Sequence, residues 1–256
     1  MEIITSKDNP LLKRIRLLGR DGASYRDQGV VWVEGDHLIR AAVERGLQPQ
    51  VVVWTESALA HWPDWLRWSA RHVQVDASIM KGLSELGSSP SVGALFACGA
   101  SAPLSPGLAT VVLDRLQDPG NVGSILRTAS AMGFAQVVAL RGTVALWSPK
   151  VVRAGMGAHF HLSLLEQQDM AVVTELALPL LATSSHQGSW LHQATLPWPC
   201  AWLLGHEGQG VSEPLMAAAS LTVRIAQPGG EESLNVAAAA AICLHASAAA
   251  RATAGL

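Results

Sequence analysis

The stretch ATVVLDRLQDPGNVGSILRTASAMGFAQVVAL, residues 109–140, places a segment of helical periodicity between two short apolar runs. The apolar residues of the middle segment recur at the spacing of one helix face: Val122, Ile125, Leu126, Ala129 and Met132. Residues 118–120 form an Asp-Pro-Gly turn, Asn121 is the expected N-cap, and Gly133 is placed to end the helix. A strand, a helix and a second strand at this spacing predict parallel pairing, and therefore an α/β fold.

The same alternation runs along most of the chain. Before residue 99 we predict strands at VVWVEG, QVVVW, HVQV and SVGALFAC, and helices at DHLIRAAVERG and over residues 57–70. Beyond residue 140, LPLLAT, AWLLG and LTVRI read as buried strands. The small residues and two prolines of GASAPLSPG are typical of a linker. We therefore predict two α/β domains, at 1–98 and 108–256, joined by a linker at 99–107.

Composition narrows the class of protein. Of the 256 residues, 49% are hydrophobic and 15% are charged, which is typical of a soluble protein with a sizeable core. The net charge of -2 argues against a strong electrostatic nucleic-acid binder. Residues 1–30 nevertheless carry six basic and four acidic side chains, which form either a modest basic surface or a solvated helix face.

We expect a cytoplasmic protein. The three cysteines, Cys98, Cys200 and Cys243, are far apart and predict neither a disulfide framework nor a zinc site. The N-terminal residues lack the order of a signal peptide. The alanine-rich C-terminal stretch is interrupted by His245 and Arg251, so we interpret it as a buried helix and expect no membrane span.

Two residues of the opening stretch are not explained by helix packing. Arg127 lies on a different helix face from Val122 and Ile125. Gly123 falls in the first turn, where glycine costs a helix about 1 kcal/mol, and close approach of a backbone or a ligand would explain it. Arg127 alone is either an ordinary surface arginine or a functional one.

Two further stretches join a strand to a helix through glycines. In LLGHEGQGVSEPL, residues 203–215, the loop amides are available to a ligand, Ser212 is a candidate N-cap, and Glu207 is either an exposed loop acid or a functional one. In IAQPGGEESLNVAAAAA, residues 225–241, Ser233 is a candidate N-cap beside Asn235. Small residues on every side of the following helix predict close packing, in a core or at a subunit interface.

In order and spacing, NVGSILRTA, LLGHEGQGVS and IAQPGGEESLNVAAAAA resemble the three motifs of the SpoU/TrmH family of RNA ribose methyltransferases, part of the SPOUT class. ITSKDNPLLKRIRLL, VWVEGDHLIRAAVERG and SPSVGALFAC resemble the recurring segments of its substrate-binding domain. The chain departs from the family at Ala226 and Gln227, where the third motif usually reads Pro-Met.

The resemblance implies transfer of a methyl group from S-adenosylmethionine to the 2'-hydroxyl of an RNA ribose. It implies a C-terminal parallel-sheet domain of SPOUT type with a trefoil knot, a rare exception to the rule against threaded chains, and a smaller N-terminal α/β RNA-binding domain. It also implies a homodimer formed through the C-terminal domain. By analogy, ribosomal RNA is favoured over transfer RNA.

The resemblance carries site residues over to matching positions. The implied catalytic set is Arg127, Asn121, Glu207, Ser233 and Asn235. The implied cofactor-binding positions are Thr183, Gly205, Ile225 and Leu234. Arg127 either acts as a base or stays charged, anchors a phosphate and stabilises the developing alkoxide. We favour the second role because a guanidinium is normally only a hydrogen-bond donor.

Other patterns favour structure over chemistry. Trp62, Trp65 and Trp68, spaced three apart, are either a buried helix stripe, which we favour, or a surface on which RNA bases stack. His159 and His161 would share one side of a strand, but no acid or cysteine nearby completes a ligand set, so we predict no metal. Two alternative functions stay open: a noncatalytic RNA-binding factor, and methylation of an RNA base.

Overall fold

A computed structural model describes residues 1–256 except 70, 85–89, 99–101, 231, 232, 254 and 256. The chain divides into two compact units. The first comprises Met1–Ala100 and Trp147–Phe160, and the second Ser101–Leu146 and His161–Leu256. The predicted linker at 99–107 begins on residues outside the described ones.

The strands, in chain order, are β1 Glu2–Ile3, β2 Val30–Glu34, β3 Val51–Trp54, β4 His72–Gln74, β5 Val92–Ala97, β6 Thr110–Asp114, β7 Gln136–Leu140, β8 Ser163–Gln168, β9 Leu180–Thr183, β10 Ser189–Trp190, β11 Ala201–Gly205 and β12 Leu221–Arg224. The α-helices are α1 Pro10–Arg20, α2 Tyr25–Gln28, α3 Asp36–Glu44, α4 Glu56–His61, α5 Ala77–Lys81, α6 Pro119–Ala131, α7 Pro149–Gly155, α8 Val172–Glu175, α9 Glu213–Ala218 and α10 Val236–Thr253.

The first unit is built on a five-stranded sheet in the order β1-β4-β3-β5-β2. β1, β4 and β3 pair in parallel, whereas β5 runs antiparallel to both β3 and β2. Helix α7 packs against β2, and this contact groups Trp147–Phe160 with the first unit. The sequence had placed that segment in the second domain, because helical spacing does not reveal which sheet a helix covers.

Seven parallel strands form the sheet of the second unit, in the order β10-β12-β9-β11-β6-β7-β8. The predicted α/β class with a parallel sheet is confirmed, and the trefoil knot stays a prediction. Because the strands are parallel, their carboxyl ends meet at one edge of the sheet. The loops after β6, β9, β11 and β12 all leave from that edge, where α/β sheets commonly bind ligands.

Both faces of this second sheet are covered by apolar side chains. One face carries a buried cluster that includes Val112, Val138, Leu165 and Leu203. Helices α6 and α10 pack against each other, and α10 also contacts β11. The Trp202 indole N–H donates to Ser247 Oγ at 2.9 Å, which satisfies a polar group within the core.

Helix α10 is less buried than the sequence predicted. Its buried residues are Ala240, Cys243, Leu244 and Ser247, and only 22% of the helix is buried. The helix is also long and apolar enough to span a membrane by length and composition alone, with a mean hydropathy of 1.3. Its contacts with α6 and β11 account for the buried side.

The predicted helix over residues 57–70 is interrupted. Helix α4 ends at His61, and a 3-10 helix, Pro63–Trp68, follows it. Because a 3-10 helix has three residues per turn, Trp62, Trp65 and Trp68 stack in a column, with ring centroids 4.9 and 4.0 Å apart. Only Trp65 is buried, so the predicted fully buried stripe is wrong for Trp62 and Trp68.

The expected strand through the two histidines is also wrong. His159 is buried in a 3-10 turn, Ala158–Phe160, and β8 begins only at Ser163, beyond His161. The described ranges contain no group of three or more His, Cys, Asp or Glu side chains arranged to hold a metal ion.

One glycine at the carboxyl edge is dictated by close packing. The loop after β11 turns back, and the Gly210 N–H donates to the His206 carbonyl at 2.8 Å. A Cβ on Gly205 would lie 2.0 Å from the Gly210 carbonyl carbon and 2.0 Å from the Val211 nitrogen. Any side chain at position 205 therefore pushes the loop away from its strand.

We expect Gly205→Ala to lower the thermal unfolding midpoint by about 2–12 °C, because overpacking against backbone costs about 1–3 kcal/mol and each kcal/mol shifts a domain of this size by about 2–4 °C. Gly208→Ala is the matched control, since its Cβ would meet nothing nearer than His206 at 3.9 Å. Equal midpoints for the two variants in scanning calorimetry would contradict the close approach at Gly205.

Candidate functional site

The loops at the carboxyl edge enclose a cavity of about 530 Å³. This volume lies within the range of about 300–1,000 Å³ that is usual for small-molecule sites. The predicted cofactor positions all line the cavity: Thr183, Gly205, Ile225 and Leu234. Two members of the predicted catalytic set, Glu207 and Ser233, line it as well. The loops after β9, β11 and β12 thus contribute residues to the same cavity.

Glu207 ties the loop after β11 to the start of α6. Its carboxylate accepts hydrogen bonds from the backbone N–H groups of Gln117 at 3.3 Å and Asp118 at 3.2 Å. It also accepts one from Asn121 Nδ2 at 3.2 Å. Glu207 is therefore a bonded member of the site and not an isolated loop acid.

Asn121 has a different place from the one predicted. The N-cap of α6 is Asp118, whose carboxylate accepts the Asn121 N–H at 2.7 Å, and Pro119 takes the first helical position, which suits its fixed φ. The Asn121 side chain is thereby released from capping. Its Oδ1 accepts a hydrogen bond from Asn235 Nδ2 at 2.9 Å.

Asn235 caps the final helix, so the proposed N-cap at Ser233 is wrong. Asn235 Oδ1 accepts the N–H groups of Ala237 at 2.9 Å and Ala238 at 3.2 Å. Ser233 lies before the helix, exposed at the cavity. The Asn235 side chain thus both caps α10 and donates to Asn121. Hydrogen bonds therefore join Glu207 of the second motif to Asn121 of the first, and Asn121 to Asn235 of the third.

The hydrogen bonds around Glu207 stabilise its charged form. Partial burial acts to raise the pKa of this carboxyl, but the N–H donors from its own backbone, Asn121, Asp118 and Gln117 outweigh burial and hold the pKa below the ordinary value of 4.5. Glu207 is thus an anion that accepts hydrogen bonds at neutral pH.

A second pair of residues, missed by the sequence analysis, fixes the far end of the same loop. Asp114 is 2% exposed and accepts the Ser212 N–H at 2.7 Å. Arg115 donates to Asp114 at 2.9 Å and to Gln209 Oε1 at 3.0 Å. The sequence did contain a signal for this pair: Asp114 and Arg115 are two charged residues directly at the end of an apolar strand, where a charge is unfavourable unless it is paired.

Arg115 adopts a left-handed backbone, with φ of 62°. This conformation is uncommon for a residue other than glycine and costs about 1–3 kcal/mol. The bonds to Asp114 and Gln209, together with the Arg115 N–H donated to Thr143 Oγ1 at 3.1 Å, hold it there. Such local strain is typical of residues that position a functional site.

Arg127 is the one member of the predicted set that stands apart. It is exposed, about one and two-thirds turns along α6 from Asn121, a distance of about 9 Å along the helix axis. It does not line the cavity, and it makes no hydrogen bond or ion pair with the residues that the structure describes. Gly123, in contrast, is buried in α6.

We expect Glu207 to make wild-type stability fall more steeply in acid. Its folded-state pKa is lowered, so its contribution is complete above the ordinary value of 4.5 and is lost as the pH falls. Glu207→Gln should remove that part of the pH dependence. Urea unfolding midpoints between pH 3.5 and 7 provide the measurement.

The control for this prediction is Glu213→Gln, which removes an exposed carboxylate from the first turn of α9. The control should keep the wild-type acid dependence. A Glu207→Gln profile parallel to that of wild type over the whole range would contradict the hydrogen-bonded anion.

Comparisons with known proteins agree with this geometry. Residues 109–245 match the model of the SpoU rRNA Methylase family. An uncharacterized tRNA/rRNA methyltransferase of Synechocystis sp. is 30% identical, over 94% of this chain and 92% of that protein. The 23S rRNA (guanosine 2'-O) methyltransferase RlmP of Bacillus subtilis is 27% identical, over 83% of this chain and 86% of that protein.

Among solved structures, an AdoMet-bound rRNA methyltransferase from Sinorhizobium meliloti superposes with a TM-score of 0.84 at 25% identity, covering 98% of each chain. The matched region, residues 109–245, contains the Glu207, Asn121 and Asn235 network and every residue named at the cavity. The chain belongs to the SpoU rRNA Methylase family.

Proposed function

We propose that this protein transfers the methyl group of S-adenosylmethionine to the 2'-hydroxyl of a ribose in ribosomal RNA. The observation that carries the proposal is the cavity formed by the loops after β9, β11 and β12, which adjoins the hydrogen-bonded Glu207, Asn121 and Asn235. Family membership and the 2'-O-methyltransferase activity named for the Bacillus subtilis relative support the same chemistry.

The residues of the cavity fit S-adenosylmethionine. Its volume of about 530 Å³ suits a ligand of nucleoside size. The wall combines apolar side chains, including Val211, Met216 and Leu234, with the polar loop that begins at Thr183. The Oε1 atom of Gln227, which also lines the cavity, is buried and has no hydrogen-bond partner among the described residues. An amphipathic ligand satisfies both kinds of wall.

The reaction is a displacement at carbon. When bound, S-adenosylmethionine supplies a methyl group on a positively charged sulfur. The ribose oxygen forms a bond to that methyl carbon, the carbon–sulfur bond breaks with its electron pair remaining on sulfur, and the hydroxyl proton leaves to water. Because a ribose hydroxyl is a weak acid, the site must stabilise negative charge that develops on this oxygen.

We assign that stabilisation to Arg127. Its guanidinium has no competing hydrogen bond or ion pair among the described residues, so it is available to RNA. In this role it stays charged, contacts a phosphate and stabilises the alkoxide. Glu207, Asn121 and Asn235 hold the amino-terminal end of α6, and with it the position from which Arg127 reaches the nucleotide. Ser233 adds an exposed hydroxyl at the cavity.

The parts outside this site are assigned by analogy. The first unit would bind substrate RNA, and the protein would act in the cytoplasm. The second unit would form a homodimer through α10, whose exposed residues Ala238, Ile242, His245 and Ala249 follow one face at spacings of four, three and four. This face is apolar apart from His245, as subunit interfaces commonly are.

Methylation of cellular RNA tests the proposal. Ribosomal RNA from cells with and without the gene is incubated with enzyme and labelled S-adenosylmethionine and is then hydrolysed with alkali. A ribose-methylated nucleotide leaves an uncleaved labelled dinucleotide in the RNA that lacked the enzyme. Labelled mononucleotides would indicate base methylation instead, and S-adenosylmethionine binding without labelling of any RNA would indicate a noncatalytic factor.

We expect Arg127→Ala to lower the single-turnover rate at least about a hundredfold, the scale of removing one positioned catalytic group, with unchanged cofactor affinity because Arg127 does not line the cavity. Arg141→Ala is the control, since Arg141 is an exposed arginine paired with Asp169 at 2.9 Å. Near-normal turnover by the Arg127 variant would refute its catalytic role.

We expect Ile242→Glu to shift the protein from dimer to monomer in sedimentation analysis, because a carboxylate at the centre of an apolar interface must be desolvated. Ile242 is 40% exposed in the single chain, so its replacement leaves the fold intact. Leu66→Glu, at a residue 42% exposed in the first unit, is the control. An unchanged dimer for Ile242→Glu would exclude this face of α10.

A further inference from the structure

Three tryptophans of the first unit form a column of stacked rings that the proposed reaction does not use. The indole of Trp65 stacks with those of Trp62 and Trp68, with ring centroids 4.9 and 4.0 Å away and interplanar angles of 13° and 29°. Trp65 is 4% exposed, whereas Trp62 and Trp68 are half-buried. The tryptophan column therefore has a buried centre and two members that reach solvent.

The buried centre of the column is held in place by β3 and β4. The Trp54 ring lies 5.8 Å from the Trp65 ring, and the Trp54 indole N–H donates to His72 Nδ1 at 3.0 Å. His72 Nε2 in turn donates to the carbonyls of Leu66 and Ser69, at 2.9 and 2.7 Å, which ties the end of the 3-10 helix to β4. A surface fixed in this way loses little conformational freedom when a ligand binds to it.

Shielding of Trp65 does not by itself call for tryptophan at the outer positions, because an aliphatic side chain would also exclude water from it. The outer side of Trp62 already has a neighbour, since the His61 ring packs edge-on against it with centroids 4.8 Å apart. Trp68 has no ring contact other than Trp65 among the described residues. Because it is also half-buried, Trp68 is the end of the column at which a further flat ring can stack.

Two guanidinium groups accompany the column. The Arg40 Cζ lies 5.1 Å from the centroid of the Trp65 ring, and Arg67 directly precedes Trp68. Both arginines are exposed, and neither forms a hydrogen bond or ion pair with the residues that the structure describes. Asp64 lies on the same 3-10 helix, so the three side chains together leave one net positive charge. A flat open ring beside free guanidinium groups fits a flat aromatic ligand that carries negative charge.

Nucleotides of single-stranded RNA combine these two features. Their bases stack on tryptophan, and their phosphates pair with guanidinium groups. Bases inside a duplex are stacked on one another, so a protein ring reaches only the bases of loops, bulges and ends. A protein or lipid partner would need a larger apolar area, and the 3-10 helix offers a single exposed aliphatic side chain, Leu66.

We propose that Trp68, at the open end of the tryptophan column, stacks on an unpaired base of the substrate RNA, with Arg40 and Arg67 beside the adjacent phosphates. The assignment rests on the proposed function for RNA as the substrate. It goes further by restricting the substrate to RNA that presents single-stranded nucleotides to the first unit. Because every base has a face that can stack, the column provides affinity for unpaired RNA and not for a particular sequence.

Binding of unpaired RNA to the full-length protein tests the column without relying on turnover. The probes are a fluorescein-labelled oligoadenylate of about 12 nucleotides and the same ribose-phosphate chain with its bases removed. The proteins are wild type, Trp68→Leu, Trp68→Phe and the control Leu66→Ala, which shortens an exposed apolar side chain of the same 3-10 helix. Leucine keeps an apolar cover over Trp65, whereas phenylalanine also keeps a ring.

We expect Trp68→Leu to weaken oligoadenylate binding about tenfold in fluorescence anisotropy, within the range for one base stacked on an aromatic side chain, and to leave binding of the chain without bases unchanged. Trp68→Phe should retain most of the affinity and Leu66→Ala all of it. Arg67→Gln should weaken both probes and reduce the slope of log affinity against log salt concentration by about 0.7, the value for one phosphate of a single strand.

Unchanged oligoadenylate binding by Trp68→Leu would overturn the assignment, and so would an equal loss on the chain without bases. A loss in Leu66→Ala as large as that in Trp68→Leu would also overturn it, in favour of an apolar docking surface. Wild type that methylates ribosomal RNA but does not bind oligoadenylate would refute this inference alone, whereas failure to label any RNA would refute the proposed function. Circular dichroism confirms that each variant is folded before its affinity is interpreted.

Discussion

The site depends on the buried carboxylate of Asp114 at the end of β6. Burial acts to raise the pKa of this group, but the guanidinium of Arg115 and the N–H and hydroxyl of Ser212 outweigh it and hold the pKa below its ordinary value. A buried anion of this kind persists only with its partners in place. Its partners are Arg115, which also donates to Gln209, and Ser212, which precedes α9. Asp114 thereby fixes the loop that closes the cavity.

Glu207 acts at the other end of the same loop. Its three hydrogen bonds to residues 117–121 bring the second motif onto the first, and Asn121 passes the connection to Asn235 in the third. The loop is thus held at its start by Glu207, in its middle by Gln209 and at its end by Ser212. Such fixed geometry favours catalysis because the polar groups need no rearrangement when charge develops.

Much of this arrangement was accessible from the sequence. The strands at residues 110–114, 136–140, 180–183 and 201–205 are mostly apolar, and parallel pairing followed from the helices between them. Parallel pairing in turn places the loops after these strands at one edge. The sequence also singled out Gly205, whose lack of a side chain is required by the backbone of Gly210 and Val211.

The errors concern choices between neighbouring residues. Either Asp118 or Asn121 has the chemistry of an N-cap, and likewise Ser233 or Asn235; the helix geometry selects Asp118 and Asn235. The selection matters, because it releases Asn121 to join Glu207 and Asn235 together. Residues 147–160 were predicted in the second domain, whereas the structure groups them with the first unit, since an amphipathic helix does not specify its partner.

The sequence alone determined the α/β class, the three motif loops and the candidate site residues within them. It could do so because hydrophobic periodicity and turn preference depend on residues only a few positions apart. Only the tertiary structure decided that Asp114 and Arg115 hold Gln209 and Ser212, that Arg127 stands clear of the cavity, and that Gln227 Oε1 is buried without a partner among the described residues. Each of these depends on contacts between segments about 100 residues apart or on burial, and neither is encoded in the spacing of neighbouring residues.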